Sequence, residues 1–122
     1  MLRVGLIGCG RIAKRHADIL GHHQVEGATL AAVCDLDLTK AQALGEMFSV
    51  PSFTCMDEMM LTEDIDVAVV LTPSGSHAEH VIQLAKFGKH IMVEKPMALT
   101  LDDADAMIAA CDRHNCKLFV IK

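Results

Sequence analysis

The sequence predicts an α/β fold: a doubly wound parallel sheet with helices on both faces and strand order 3-2-1-4-5-6. Three observations predict it. An apolar strand pattern at Leu2–Ile7 runs into Gly8-Cys9-Gly10-Arg11-Ile12-Ala13 and then into a helical pattern. Strand and helix patterns go on alternating to the end of the chain, as two βαβαβ halves, which right-handed crossovers place in one parallel sheet. The segment 66–71 (Asp-Val-Ala-Val-Val-Leu) is apolar without alternation, as a strand covered on both faces should be.

The elements follow in order. After the first strand, Ile12/Ala13, His16/Ala17 and Ile19/Leu20 recur at helical spacing, giving a helix over 11–20 that Gly21-His22-His23 ends. Ala28–Cys34 is a second apolar strand. Ala41, Leu44, Gly45 and Phe48 mark the buried face of a second helix, stopped by Pro51. A short third strand is expected over 52–55 and a weak helical turn over 57–61. The fourth strand, 66–71, opens the second half and is followed by a loop over 72–75. Val81, Leu84 and Ala85 form the stripe of the next helix, with Gly88 as its C-cap. His90–Val93 is the fifth strand. Thr100 and Asp103 stand in capping-box spacing ahead of a helix carrying Leu101, Ala104, Ile108 and Cys111. A sixth strand is expected over 118–121.

The bulk composition narrows the function classes. A chain of 122 residues suffices for one domain with a core. It is 52% hydrophobic, with eight Met, eight Gly and no Trp or Tyr, which suits a covered parallel sheet. The net charge of −5 and the lack of a basic run argue against nucleic acid or an anionic membrane as partner. Met1-Leu2-Arg3 leads straight into a strand, and no apolar run approaches the ~20 residues that span a bilayer. Cys9, Cys34, Cys55, Cys111 and Cys116 include no Cys-x-x-Cys pair, so they read as reduced, mostly buried thiols of a cytoplasmic protein. Cys111, His114 and Cys116 are poorly spaced for zinc and no fourth ligand is evident, so no metal is expected.

The glycine segment is how a chain holds a dinucleotide pyrophosphate. Gly8 makes the turn out of the strand, Gly10 lets the backbone approach the phosphates, and Ala13 lets the helix pack on the strand. The first helical turn, Arg11 and Ile12, offers free N–H groups to the anion. Asp35 ends the second strand, where a carboxylate accepts hydrogen bonds from the adenine ribose hydroxyls and repels a 2′-phosphate, favouring NAD over NADP. It lies 27 residues beyond Gly8, against a usual spacing of about 20; the connection over 22–29 holds the excess. Asp37 is the rival carboxylate and reads better as the N-cap of the second helix. Lys40, the nearest cation, reads as a solvated helix residue. Glu94-Lys95-Pro96 places two ionisable groups at a strand's carboxyl end, where Lys95 can hydrogen-bond a substrate hydroxyl or cofactor ribose, or move a proton; a surface ion pair is the alternative.

With these motifs in hand, the chain resembles the N-terminal domain of the Gfo/Idh/MocA oxidoreductase family. The resemblance spans essentially all of it and rests on Gly8-Cys9-Gly10-Arg11-Ile12-Ala13, Asp35, Thr72-Pro73-Ser74-Gly75-Ser76-His77, and Gly88-Lys89-His90 running into Glu94-Lys95-Pro96-Met97-Ala98. It implies that Lys95 is catalytic and approaches the nicotinamide and substrate. It implies that Glu94 lines the nicotinamide side, that Thr72 and Pro73 border the cofactor, and that the Lys95–Pro96 bond is often cis. His77 matches the family histidine at the start of the next helix, where capping and packing stand beside cofactor contact. Ser74 replaces a common Asn. The other histidines, among them His16, His80 and His90, read as structural or solvated.

The resemblance also implies a second α/β domain after the sixth strand. That domain would carry the substrate pocket and further acid/base residues, and any self-association would run through its sheet. The chain is therefore expected to be a domain-sized piece covering 1–122, inactive alone, of an enzyme that transfers hydride between NAD and a sugar, nucleotide sugar or cyclitol. A non-catalytic dinucleotide-sensing module is the alternative, but it has no need of Glu94-Lys95-Pro96. A methyl donor-binding domain fits the glycine spacing and the Thr-Pro…His segment less well.

Overall fold

The computed structural model describes residues 1–22 and 24–121, so His23 and Lys122 lie outside the described residues. Eleven elements alternate: β1 (Leu2–Ile7), α1 (Arg11–Gly21), β2 (Ala28–Cys34), α2 (Leu38–Phe48), β3 (Ser52–Phe53), α3 (Met56–Thr62), β4 (Val67–Val70), α4 (His77–Ala85), β5 (His90–Val93), α5 (Leu101–Arg113) and β6 (Leu118–Val120). The six strands form one sheet in the order β3-β2-β1-β4-β5-β6, and every neighbouring pair is parallel. This is the doubly wound order expected from the sequence.

The differences lie at element ends. β3 has only two residues, because the segment pairs with β2 at Val33 and Cys34 alone before the chain turns into α3. β4 and β6 are shorter than the apolar runs that contain them. The weak turn expected over 57–61 is a seven-residue helix, and a single 3-10 turn over Ser74–Ser76 begins in the segment read as a loop and runs one residue past it. α1 runs one residue further, through Gly21.

Alternation along the strands divides the core between the two faces of the sheet. Val4 and Leu6 of β1 pack with Ala13, Ala17 and Leu20 of α1 and with Leu44 of α2. Ile7 of the same strand belongs to the opposite layer, with Met59 of α3, Val81 and Leu84 of α4, and Met107 of α5. All four β4 residues are buried, whereas β1 begins exposed at Leu2 and is buried from Val4 onward. Ala13 and Ala17 are almost wholly buried; their small side chains let α1 lie close against β1.

Local chemistry fixes the helix ends. The Asp37 carboxylate accepts the N–H groups of Thr39 and Lys40 at 3.0 and 3.3 Å, the N-cap role expected for it. Thr100 Oγ1 accepts the Asp103 N–H at 3.1 Å at the start of α5. α4 is capped at Lys86, not at Gly88 as expected; Gly88 follows two residues later at φ +68°, a left-handed backbone open to glycine. Ser49 ends α2 at φ 57°, a left-handed cap without a glycine to announce it.

Candidate cofactor site

The site is built where β1 and β4 diverge in connection, the point at which the strand order reverses. Gly8 takes φ +97°, and a Cβ there would meet the backbone of Leu71 at 2.9 Å and Thr72 N at 3.0 Å. The carboxyl ends of β1 and β4 can approach this closely only because Gly8 has no side chain. Gly10 is glycine for a different reason: nothing lies within 4 Å of its would-be Cβ. The bare backbone opens onto solvent at the start of α1.

Gly10 is the N-cap of α1, and neither a side-chain cap nor an acidic residue in the first turn occupies that end. The first N–H groups of a helix have no partner within it, so those of α1 are free for an anion. Arg11 and Ile12 are exposed. Neither lines the crevice beside them, so what they offer a ligand is the backbone of that first turn.

The crevice beyond the strand ends has a volume of about 860 Å³, and Gly8, Gly10, Asp35, Thr72, Pro73 and His80 are among the residues along it. Asp35 is half-buried and positioned by two backbone donors. Its Oδ2 accepts the Cys9 N–H and its Oδ1 the Asp37 N–H, each at 2.8 Å. Each oxygen keeps lone-pair capacity for a further donor. Burial, and secondarily the Asp35 charge, pushes the Cys9 thiol up to about 12. Burial and then neighbouring Cys9 do the same to Cys34, also to about 12. These two thiols therefore stay protonated and give the crevice floor an uncharged surface. Lys40, read from the sequence as merely solvated, also borders the crevice.

A second set of contacts holds the far wall. His77, 1% exposed, is the one buried polar side chain among the described residues. Its Nε2 lies 2.7 Å from Thr72 O and its Nδ1 2.9 Å from Pro96 O. A carbonyl only accepts, so whichever ring nitrogen carries a proton is the donor in its contact. His77 thus sits behind the crevice and is absent from its lining. His80, one turn along α4, is the histidine on the crevice, against its sequence reading as structural or solvated. Its Nδ1 shares a 2.8 Å hydrogen bond with Thr72 Oγ1. Burial lowers its pKa from the ordinary 6.5; Glu79 opposes the shift and His77 adds to it. Spacing alone could have flagged it: His80 follows His77 by one helical turn and so shares its side of the helix.

Glu94 and the exposed Lys95 follow β5, and the Lys95–Pro96 bond is cis. Glu94 Oε2 lies 3.8 Å from His16 Nε2 on α1, a contact between elements distant in sequence that no local pattern reveals. Asp35 ends β2 and Lys95 follows β5, three strand spacings away, or roughly 14 Å. The two residues therefore flank opposite halves of the sheet's carboxyl edge, with the glycine turn between them. Lys95 and Glu94 are not among the residues of the 860 Å³ crevice, which covers the Asp35 half.

Comparison with known proteins follows the same lines. A family model described as an oxidoreductase family with an NAD-binding Rossmann fold matches residues 2–122. The chain is 34% identical over 116 residues to D-apiose dehydrogenase from Paraburkholderia graminis, covering 94% of this chain and 30% of that protein. It is 38% identical over 113 residues to D-glucoside 3-dehydrogenase from Escherichia coli, covering 91% and 31%. The WlbA dehydrogenase from Bordetella pertussis, solved in complex with NADH and UDP-GlcNAcA, superposes with a TM-score of 0.92 at 36% identity, covering 98% of this chain and 36% of that one. The chain thus spans about a third of the length of the proteins it matches.

Proposed function

The chain belongs to the Gfo/Idh/MocA oxidoreductase family, and from that premise we propose that it is the NAD-binding domain of a dehydrogenase acting on a sugar, nucleotide sugar or cyclitol. The observation that carries the reading is the pairing of an open Gly10 at an uncapped helix end with Asp35, whose two oxygens are held by backbone donors at the end of the neighbouring strand. The first feature suits a pyrophosphate and the second a ribose diol.

In this reading Gly8, Gly10, Arg11 and Ile12 hold the pyrophosphate through backbone. Asp35 takes the adenine ribose and disfavours the 2′-phosphate of NADP. Thr72 and Pro73 border the middle of the cofactor, Glu94 stands on the nicotinamide side, and His77 supports the Thr72 loop from behind. NAD, when bound, supplies the hydride acceptor. Lys95 hydrogen-bonds the substrate hydroxyl and assists its deprotonation. A second domain supplies the substrate pocket and carries any self-association. The absence, among the described residues, of a helix long and apolar enough to cross a membrane and the five free cysteines support a cytoplasmic enzyme.

The test uses the protein that carries this domain, incubated with NAD and a panel of sugars, nucleotide sugars and cyclitols. At least one should reduce NAD, and Lys95→Met should lower that turnover by ~100-fold or more while NAD affinity changes far less. Binding of NAD with no reduction by any member of the panel favours the sensing module instead.

A further inference from the structure

Thr72 and Pro96 lie on different strands' loops, yet the two nitrogens of a single ring reach both. His77 Nε2 is 2.7 Å from Thr72 O, and Nδ1 is 2.9 Å from Pro96 O. Thr72 lines the crevice, and Pro96 is bonded to Lys95. The ring itself is 1% exposed and heads α4, so it cannot swing away without opening the core. His80 adds a third tie on the same residue, at Thr72 Oγ1. An imidazole is rigid and flat, so the distance between its two partners is set by the ring. A shift of either loop by more than about half an ångström therefore stretches a contact beyond hydrogen-bonding distance or moves the other loop.

We propose that His77 is a positioning residue that couples the cofactor-binding loop at Thr72 to the loop bearing Lys95, so that occupation of the crevice sets where Lys95 stands. The proposal rests on the reading of the crevice as a dinucleotide site. The two loops have no sheet hydrogen bond of their own at this level: the last paired residues of β4 and β5 are Val70 and Val93, and the last link between the strands is Glu94 N–H to Val70 O at 3.0 Å. Beyond it, among the described residues, Leu99 Cδ1 packs near Gly75, but the hydrogen-bonding side chain that reaches both loops is His77.

ADP is the probe, because it carries the adenosine and both phosphates but no nicotinamide half that could touch Lys95 directly. Backbone amide signals of the unmutated 122-residue chain are followed by NMR as ADP is added. Binding should shift Gly10, Thr72 and, at the far loop, Lys95 and Met97. In His77→Phe, which keeps a ring but no donors, Gly10 and Thr72 should still shift while Lys95 and Met97 stay within a fifth of their original displacement. In the full enzyme the same variant should lower kcat at least tenfold with NAD affinity changed less than threefold, a split that general loosening does not produce. Shifts at Gly10 and Thr72 without any at Lys95 or Met97 in the unmutated chain overturn the coupling and leave the dinucleotide reading standing. No shift at Gly10 at saturating ADP overturns both. Lys95 and Met97 shifts that persist undiminished in His77→Phe overturn the role of His77; should that variant fail to fold, His77→Gln is read by the same criteria.

Discussion

The Asp35 carboxylate accepts the backbone N–H of Cys9 at 2.8 Å, so the acid that ends β2 is tied to the glycine turn that ends β1. In the proposed reading the pyrophosphate and ribose sites are thereby set at a fixed distance before any ligand arrives. Asp35→Ala would remove both the proposed ribose acceptor and this tie. A hydrogen bond to a charged group is worth ~1.5–3 kcal/mol, so the variant should bind NADH roughly 10- to 150-fold more weakly by titration calorimetry. Unchanged affinity would remove Asp35 from the site.

Cys55 is exposed and borders the crevice, whereas Cys9 and Cys34 are held protonated with pKa values near 12. The thiolate is the reactive form. Iodoacetamide at mildly alkaline pH should therefore modify Cys55 well before Cys9 or Cys34, as read by mass spectrometry of the peptides. Saturating NADH should slow the Cys55 reaction several-fold. Labelling indifferent to NADH would put the cofactor elsewhere.

His80 contributes a pH dependence whose sign is fixed. Its folded pKa lies below the ordinary 6.5, so the unfolded chain binds the proton more tightly. Its share of stability is complete above pH 6.5 and is lost as pH falls from there through the lowered folded value. Denaturant midpoints of His80→Gln should fall less steeply over that acid window than those of the unmutated chain. Parallel curves would mean that the burial of His80 is not felt as a proton-linked cost.

Leu6, the penultimate residue of β1, is 0% exposed and packs against α1 and α2. Leu6→Ala should cost ~2–5 kcal/mol of unfolding free energy, measured by urea denaturation. A loss below about 1 kcal/mol, well under the range for a buried Leu→Ala change, would mean that the β1 layer is not the closed core described.

Much of this was legible in the sequence because it is local. The Gly8–Ala13 spacing, the unalternating apolar run of β4 and the carboxylate ending β2 each lie in one stretch of chain, and so do the caps at Asp37 and Thr100. What escaped depends on contacts between distant segments. The roles of His77 and His80 are decided by Thr72 O, Thr72 Oγ1 and Pro96 O, and α4 must be docked before those atoms meet. Strand ends were misplaced because pairing, not apolarity, stops a strand: the run continues to Leu71, but the β4 pairing with β5 ends at Val70.

The most direct test of the central claim is titration calorimetry of the unmutated 122-residue chain with NADH and, separately, with NADPH. Asp35, with both oxygens fixed on backbone donors, should admit the ribose diol and repel a 2′-phosphate, so NADH should bind at least ten times more tightly. Equal or tighter binding of NADPH, or binding of neither, would contradict the account.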